Sequence, residues 1–374
     1  MFVTLSAVIN LYLSEVDLFP QHCQVGEVLV LHLFAVICVS ANRIDGGVLG
    51  EDVRHYAEVL DDDELVDYVN RNQQLWKAEL HERFSSVHEV SRKYMLGVKN
   101  VHLPSEALGR LSPTRFLNIT VPDSFDARQW WPECESVGFV RDQSSCGSCW
   151  AFGAAEAITD RICIASKGTF KPTISSNEIL SCCEICGDGC RGGYPIRAWD
   201  YWVEHGVVTG GEYGTNNTCL PYPFPSCRKH GNHSLPAQCS HVPFETPKCN
   251  RMCDRNYKED YEADKHYGLI SYGIHSDELS IRKELLTYGP IEVAFLVFMD
   301  FFHYKSGIYK HTAGGFAGGH AVKLIGWGEE NGTPYWLIAN SWGRDWGDKG
   351  FFKILRGSNE CEIEGGAVAG VPRI

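Results

Sequence analysis

Apolar positions change their period along the chain. From Cys149 onward, Trp150, Ala154, Ala157, Ile158 and Ile162 recur near helical spacing and predict a largely buried helix. Further on, residues 321–327, 335–339 and 350–355 are short apolar runs between glycines and turn residues, the pattern of strands. Nearer the start, Leu65, Tyr68, Val69, Leu75 and Trp76 also repeat at roughly helical spacing. Asp63 is the expected N-cap there, with Glu64 and Asp67 near the positive helix end. Leu103-Pro104 and Ser112-Pro113 read as turns or extended linker. No repeat of fixed period is present. A helix first and strands later predict an α+β body rather than alternating βαβ units.

The chain has 374 residues, long enough for two or three folding units at ~150 residues each. Its formal charge of −13 argues against a nucleic-acid partner, which needs a basic face. Sixteen cysteines point to an oxidising compartment. Residues 28–40 have the apolar core and small-residue flank of an export signal, and are too short for a bilayer, which takes ~20 residues. A second apolar stretch, 1–13, precedes them, and the first Lys or Arg is Arg43. The expected division is therefore 1–42 as signal, 43–120 as a cysteine-free removable pro-segment, and 121–374 as the cysteine-rich body, with no stable membrane span. The pro-segment is expected to let go at acid pH as its carboxylates lose charge.

The most specific string is Gln143-Ser144-Ser145-Cys146-Gly147-Ser148-Cys149-Trp150-Ala151-Phe152. Ser148 is a candidate N-cap, which puts Cys149 in the first turn. The positive end of a helix favours thiolate over thiol, so a depressed thiol pKa is expected. In a chain this rich in cysteine, Cys149 could equally be half of a disulfide; the string favours a nucleophile. A nucleophilic cysteine needs a base that also returns the proton, and histidine does both near neutral pH.

Together with Gly318-Gly319-His320-Ala321-Val322 and Asn340-Ser341-Trp342-Gly343, that string resembles the papain family of cysteine proteases. The stretches 182–190, 221–227, 264–268 and 350–357 resemble its cathepsin B subfamily. The resemblance implies a papain-like two-lobed fold, with a helical lobe over about 131–236 and a strand-rich lobe over about 237–374. It implies a zymogen that hydrolyses peptide bonds through Cys149, His320 as base, Asn340 as the group orienting His320, and Trp342 shielding that bond. Gln143 and the Cys149 N–H would form the oxyanion hole, and Gly192 and Gly193 the edge that pairs with substrate. Protein and peptide substrates, the pro-segment as inhibitor, cystatin-like inhibitors, a lysosomal or secreted location, and no metal or cofactor follow from the same resemblance. So do the disulfides Cys134–Cys163, Cys146–Cys190, Cys182–Cys249, Cys183–Cys186, Cys219–Cys253 and Cys227–Cys239, with Cys361 unpaired. A zinc module built on Cys183, Cys186, Cys249 and Cys253 is the weaker rival, since no histidine follows at finger spacing.

Spacing adds a departure. Cys149 to His320 is 171 residues, against a family range of ~130–150, so an insert is expected at 227–253. In cathepsin B an occluding loop there carries adjacent histidines that hold a substrate's C-terminal carboxylate. Here the pair reads Lys229 and His230, and Lys229 is expected to face Asp142. A looser loop follows, with endopeptidase activity at least as important as dipeptide release. Asn118, Asn216, Asn232 and Asn331 begin glycosylation sequons. At the S2 floor the acidic residue of cathepsin B is replaced by Gly366, with Glu364 two residues earlier, which predicts an apolar pocket favouring Phe, Leu or Val at P2.

Overall fold

The computed structural model describes residues 60–84, 87, 89–227 and 242–374. The predicted export signal, Lys229, His230 and Cys239 lie outside them.

The first helix, α1 (Asp62–Asn72), is capped by Asp61, whose carboxylate accepts the Glu64 N–H at 3.0 Å. The cap is thus two residues earlier than the expected Asp63. Leu65 and Val69 are its buried face. The helical period runs on to Trp76, yet the helix stops at Asn72. Gln73 turns back on the chain instead: its Nε2 donates to the Val69 and Trp76 carbonyls, and its Oε1 accepts the Trp76 N–H at 3.0 Å. The chain then extends into β1 (Trp76–Ala78). The Asn70 side chain holds β1 by donating to the Ala78 carbonyl at 2.9 Å and accepting its N–H at 3.0 Å.

Three short helical pieces follow: α2 (Glu89–Lys93), α3 (Ser105–Leu108) and, after β2 (Phe125–Asp126), α4 (Ala127–Trp130). The helical part of the body is α5 (Cys149–Ala165), α6 (Ser176–Cys182) and α7 (Pro195–His205). Every residue of α5 from Cys149 to Cys163 is buried, so it is a central core helix, apolar on most sides. The strand-rich part holds β3 (Gly268–Gly273), α8 (Glu278–Tyr288), β4 (Ile291–Phe298), β5 (Tyr304–Tyr309), β6 (Phe316–Glu330), β7 (Thr333–Ala339), β8 (Phe351–Leu355) and β9 (Val368–Pro372).

The strands form a sheet in the order β1-β5-β8-β7-β6-β4-β9-β3, with β2 on β6. Pairing is antiparallel except for β5 with β8. This is the α+β, two-part papain-like architecture. The edge strand β1 belongs to the segment before residue 121, so that segment is stitched into the sheet. One face of the sheet packs α5 against β4, β6 and β9. That packing sets the N-terminus of α5 beside the middle of β6.

Five disulfides join Cys134–Cys163, Cys146–Cys190, Cys182–Cys249, Cys183–Cys186 and Cys219–Cys253. Cys227 is also disulfide-bonded; its expected partner Cys239 is outside the described residues. Each of the four sulfurs that a zinc module would use is therefore held in a disulfide. Cys149 and Cys361 carry free thiols.

Candidate active site

Cys149 opens α5, with Ser148 at the N-cap, but Ser148 makes no capping bond. Its hydroxyl pairs instead with Tyr222 Oη at 3.0 Å. His320 lies on β6, opposite Phe295 of β4. Its Nε2–H donates to Asn340 Oδ1 at 2.8 Å, which leaves Nδ1 as the unprotonated nitrogen. Nδ1 has no hydrogen-bond partner among the described residues. The Asn340 oxygen also accepts the Ser341 N–H at 2.8 Å, which fixes which way the amide faces. Trp342 is buried, with its ring 4.8 Å from the imidazole centroid, and it stacks on Phe302. His320 and Asn340 are thus held in a dry site, where a hydrogen bond is stronger than in water.

Gln143 is fully buried. Ser341 Oγ donates to its Oε1 at 2.6 Å, so its Nε2 must point the other way. That Nε2 donates to the carbonyls of Cys146 at 2.7 Å and Met95 at 2.8 Å. Ser341 and Tyr222, which donates to the Gln143 carbonyl at 2.8 Å, were not singled out from sequence. Ser341 could have been, since it adjoins Asn340 in the Asn-Ser-Trp-Gly string.

The segment before residue 121 fills the groove. The Gly97 N–H donates to Cys149 Sγ at 3.2 Å. Gly193 donates to the Gly97 carbonyl at 2.8 Å and accepts the Lys99 N–H at 3.1 Å, while the Val98 N–H donates to the Gly319 carbonyl at 3.0 Å. Val98 pairs parallel to Gly193 and antiparallel to Gly319, so an extended strand bridges the two parts of the body. A Cβ at position 97 would lie 1.8 Å from the Gly147 carbonyl oxygen, so only glycine brings the backbone this close to the sulfur. None of these contacts was legible in the sequence, because each depends on a tertiary approach.

One expectation is corrected by this closure. The thiol of Cys149 was expected to be more acidic than usual. Burial pushes it up to about 12, although N–H donors of Ala321 and Gly97 oppose that. Burial likewise drives His320 down to about 4, only partly offset by Asn340. With the groove filled, both groups are neutral, since desolvation disfavours either charge. Asp142, the residue that Lys229 could pair with, is engaged within the described residues. It is held by Arg83 in a buried two-bonded pair at 2.7 and 2.9 Å, and Arg83 also donates to the Trp342 carbonyl. Lys229 lies outside the described residues.

The expected acid release does not run through Asp62. Burial opposes charge there, but Arg92 and His303 outweigh it and hold the carboxyl well below the usual range. Glu364 is no pocket acid either. It is buried and accepts from Trp336 Nε1 and the N–H groups of Gly357 and Asn359. Gly366 lines a small cavity of about 40 Å³ with Leu103, Pro104, Tyr194, Ile196 and Ala294. A Cβ at 366 would lie 1.9 Å from the Val101 carbonyl oxygen. Among the described residues, no helix is long and apolar enough to cross a membrane.

A cysteine at a helix N-terminus beside a histidine–asparagine pair is the arrangement of a thiol peptidase. Residues 121–371 match the family described as "Papain family cysteine protease", and the chain belongs to that family; it is a cysteine peptidase in zymogen form. Within the family it stands with the cathepsin B-like proteinases. It is 51% identical over 322 residues to cathepsin B-like cysteine proteinase 6 of Caenorhabditis elegans, covering 85% of each chain. It is 47% identical to a cathepsin B-like cysteine proteinase of Schistosoma japonicum, over 83% of this chain and 90% of that one. Its structure is similar to that of procathepsin B S9 from Trypanosoma congolense, with a TM-score of 0.69 and 36% identity, covering 84% of this chain and 99% of that one.

Proposed function

We propose that Cys149 is the nucleophile, His320 the base, Asn340 the group that orients it, and Gln143 with the Cys149 N–H the oxyanion hole. The observation that carries this is the strand 97–99, laid between Gly193 and Gly319 with its backbone on the Cys149 sulfur. In the opened groove the His320 Nδ1 takes the thiol proton, and the thiolate attacks the substrate carbonyl carbon. The resulting oxyanion is met by donors already aimed at it. His320 returns the proton to the leaving amine, and the thioester that remains is hydrolysed by water, with His320 again as base.

The strand inhibits and is not cut. The sulfur faces an amide N–H, which is no electrophile, and the Gln143 donor is occupied by the Met95 carbonyl. We assign 43–120 as the pro-segment, 121–374 as the catalytic domain, and the two lobes to about 131–236 and 237–374. The apolar cavity at Gly366 favours Phe, Leu or Val at P2. Lys229 and His230 in the 227–253 insert support dipeptide release less well than two histidines would, so endopeptidase action leads. Five disulfides in the described residues suit lysosomal or secreted use, and the emptied groove is the surface for cystatin-like inhibitors.

Cys149→Ala tests the assignment. Turnover of a peptide substrate should fall to background, and labelling by an epoxide cysteine probe should vanish. The zymogen should keep its melting temperature. Appreciable residual hydrolysis would refute the nucleophile.

A further inference from the structure

Away from the groove, a cavity of about 210 Å³ opens between α5 and β6. Its wall includes Arg141 before α5, Glu156 and Thr159 on α5, then Glu212, Thr215 and Thr218, and Lys323 on β6. Glu156 stands seven residues along α5 from Cys149, roughly 10 Å at ~1.5 Å per residue. Lys323 stands three residues beyond His320 on β6. The cavity therefore touches both elements that carry the proposed catalytic pair without touching the pair.

Two opposite charges in this cavity lack a full partner. Arg141 is buried. Its Nη1 donates to the Ile174 carbonyl at 3.0 Å and its Nη2 to Thr159 Oγ1 at 3.4 Å, and it forms no ion pair among the described residues. Glu156 is also buried, and its Oε2 accepts no hydrogen bond among them. Lys323 is 3.8 Å from that oxygen because it is drawn to Asp160 at 2.8 Å and the Ser136 carbonyl at 3.2 Å. Burial, with the like charges of Asp160 and Glu212, pushes the Glu156 carboxyl up to about 7 despite Lys323 and Arg141. Thr218 Oγ1 has no partner among the described residues either. Buried polar groups are ordinarily bonded, so a carboxylate oxygen short of a donor and a cation without an ion pair among the described residues, both at one cavity, call for an occupant.

We propose that this cavity binds a compact zwitterion of amino-acid size, its ammonium donating to Glu156 and its carboxylate accepting from Arg141. A zwitterion offers an opposite charge to each of Glu156 and Arg141, where a singly charged ligand offers one to only one of them. The space exceeds the ~150 Å³ void that admits benzene and is too small for a peptide. An occupant spans α5 and β6 and ties the two elements together. Free amino acids are also end products of protein breakdown, so the site reads the pool that peptidases feed.

Calorimetric titration of the full-length Cys149→Ala zymogen is the test, since its groove is filled by the strand 97–99 and cannot compete. The probes are glycine, alanine, leucine, glutamate and arginine, with leucinamide as cation only and N-acetyl-leucine as anion only, each to about 10 mM. At least one free amino acid should bind. Each singly charged analogue of leucine should bind at least about tenfold more weakly than leucine, as expected for losing a charge-assisted bond. Thr215→Phe, which sets a bulky ring at the exposed mouth of the cavity, should weaken the signal at least about tenfold, and Glu156→Gln should weaken it about tenfold. A melting curve checks that each variant folds; if Thr215→Phe does not, Thr218→Val replaces it and should also weaken binding. No binding by any amino acid would mean that the cavity holds only water and would overturn the proposal. So would equal binding by leucinamide or N-acetyl-leucine, or binding that a folded cavity variant leaves unchanged.

Discussion

At Cys149 the helix N-terminus and the buried groove pull the thiol in opposite directions, and burial wins. The positive helix end contributes typically 0.3–1 kcal/mol at exposed sites, which is small beside the removal of water from a thiolate. The thiol is pushed up to about 12 and His320 down to about 4. Between those values the closed protein holds a neutral thiol beside a neutral ring. Alkylation of Cys149 by iodoacetamide should therefore be slow and nearly flat from pH 5 to 9 in the zymogen. After the pro-segment is removed, water re-enters, both shifts relax, and the rate should rise by at least about a hundredfold near neutral pH. An unchanged profile would separate latency from burial. Cys149, His320 and Asn340 were legible because each stands in a string whose residue types carry chemistry. Arg83 and Gly97 were not, because an arginine and a glycine in a polar segment acquire meaning only from what they meet.

At the level of elements, β1 shows why local period misleads. The apolar positions from Leu65 to Trp76 fit a helix, yet Gln73 and Asn70 bond backbone groups that a helix would have used, and the chain extends. Side chains that compete for backbone in this way end helices. Trp76 then packs against Tyr304 and Tyr309 and donates to the Lys310 carbonyl at 2.9 Å. Large aromatic truncations in cores cost about 3–5 kcal/mol. Trp76→Ala should thus weaken the hold of the pro-segment by roughly a hundredfold or more, seen as faster spontaneous activation and as weaker inhibition by the isolated segment added in trans. The long strands β6 and β7 and the helix α5 followed their sequence patterns closely, since tertiary packing there reinforces local preference.

For the molecule as a whole, pH acts through groups of opposite sign. Burial raises the Glu156 carboxyl to about 7 and Glu292 well above its usual range, the latter against a bond from Trp199. A carboxyl whose folded pKa is raised binds more protons when folded, so stability falls as pH climbs from about 4.5 towards 7. Asp62 is shifted the other way; its contribution is present above the ordinary aspartate range and fades only as pH drops below it. The zymogen should therefore be most stable near pH 4 to 5. Denaturant midpoints measured from pH 3 to 8 should peak there, and Glu156→Gln should flatten the alkaline slope. A midpoint that rises steadily to pH 8 would contradict this account.

The contact between Gly366 and the Val101 carbonyl joins two traits that are usually considered separately. An acidic side chain at 366, the position proposed above to set the preference two residues before the cut, has no room while the latent segment is seated. Selection for such a side chain would loosen the safety catch at the same stroke. The leader sequence and the preference of the mature enzyme must therefore drift as a pair, and a designer who alters one position should begin by redrawing the other.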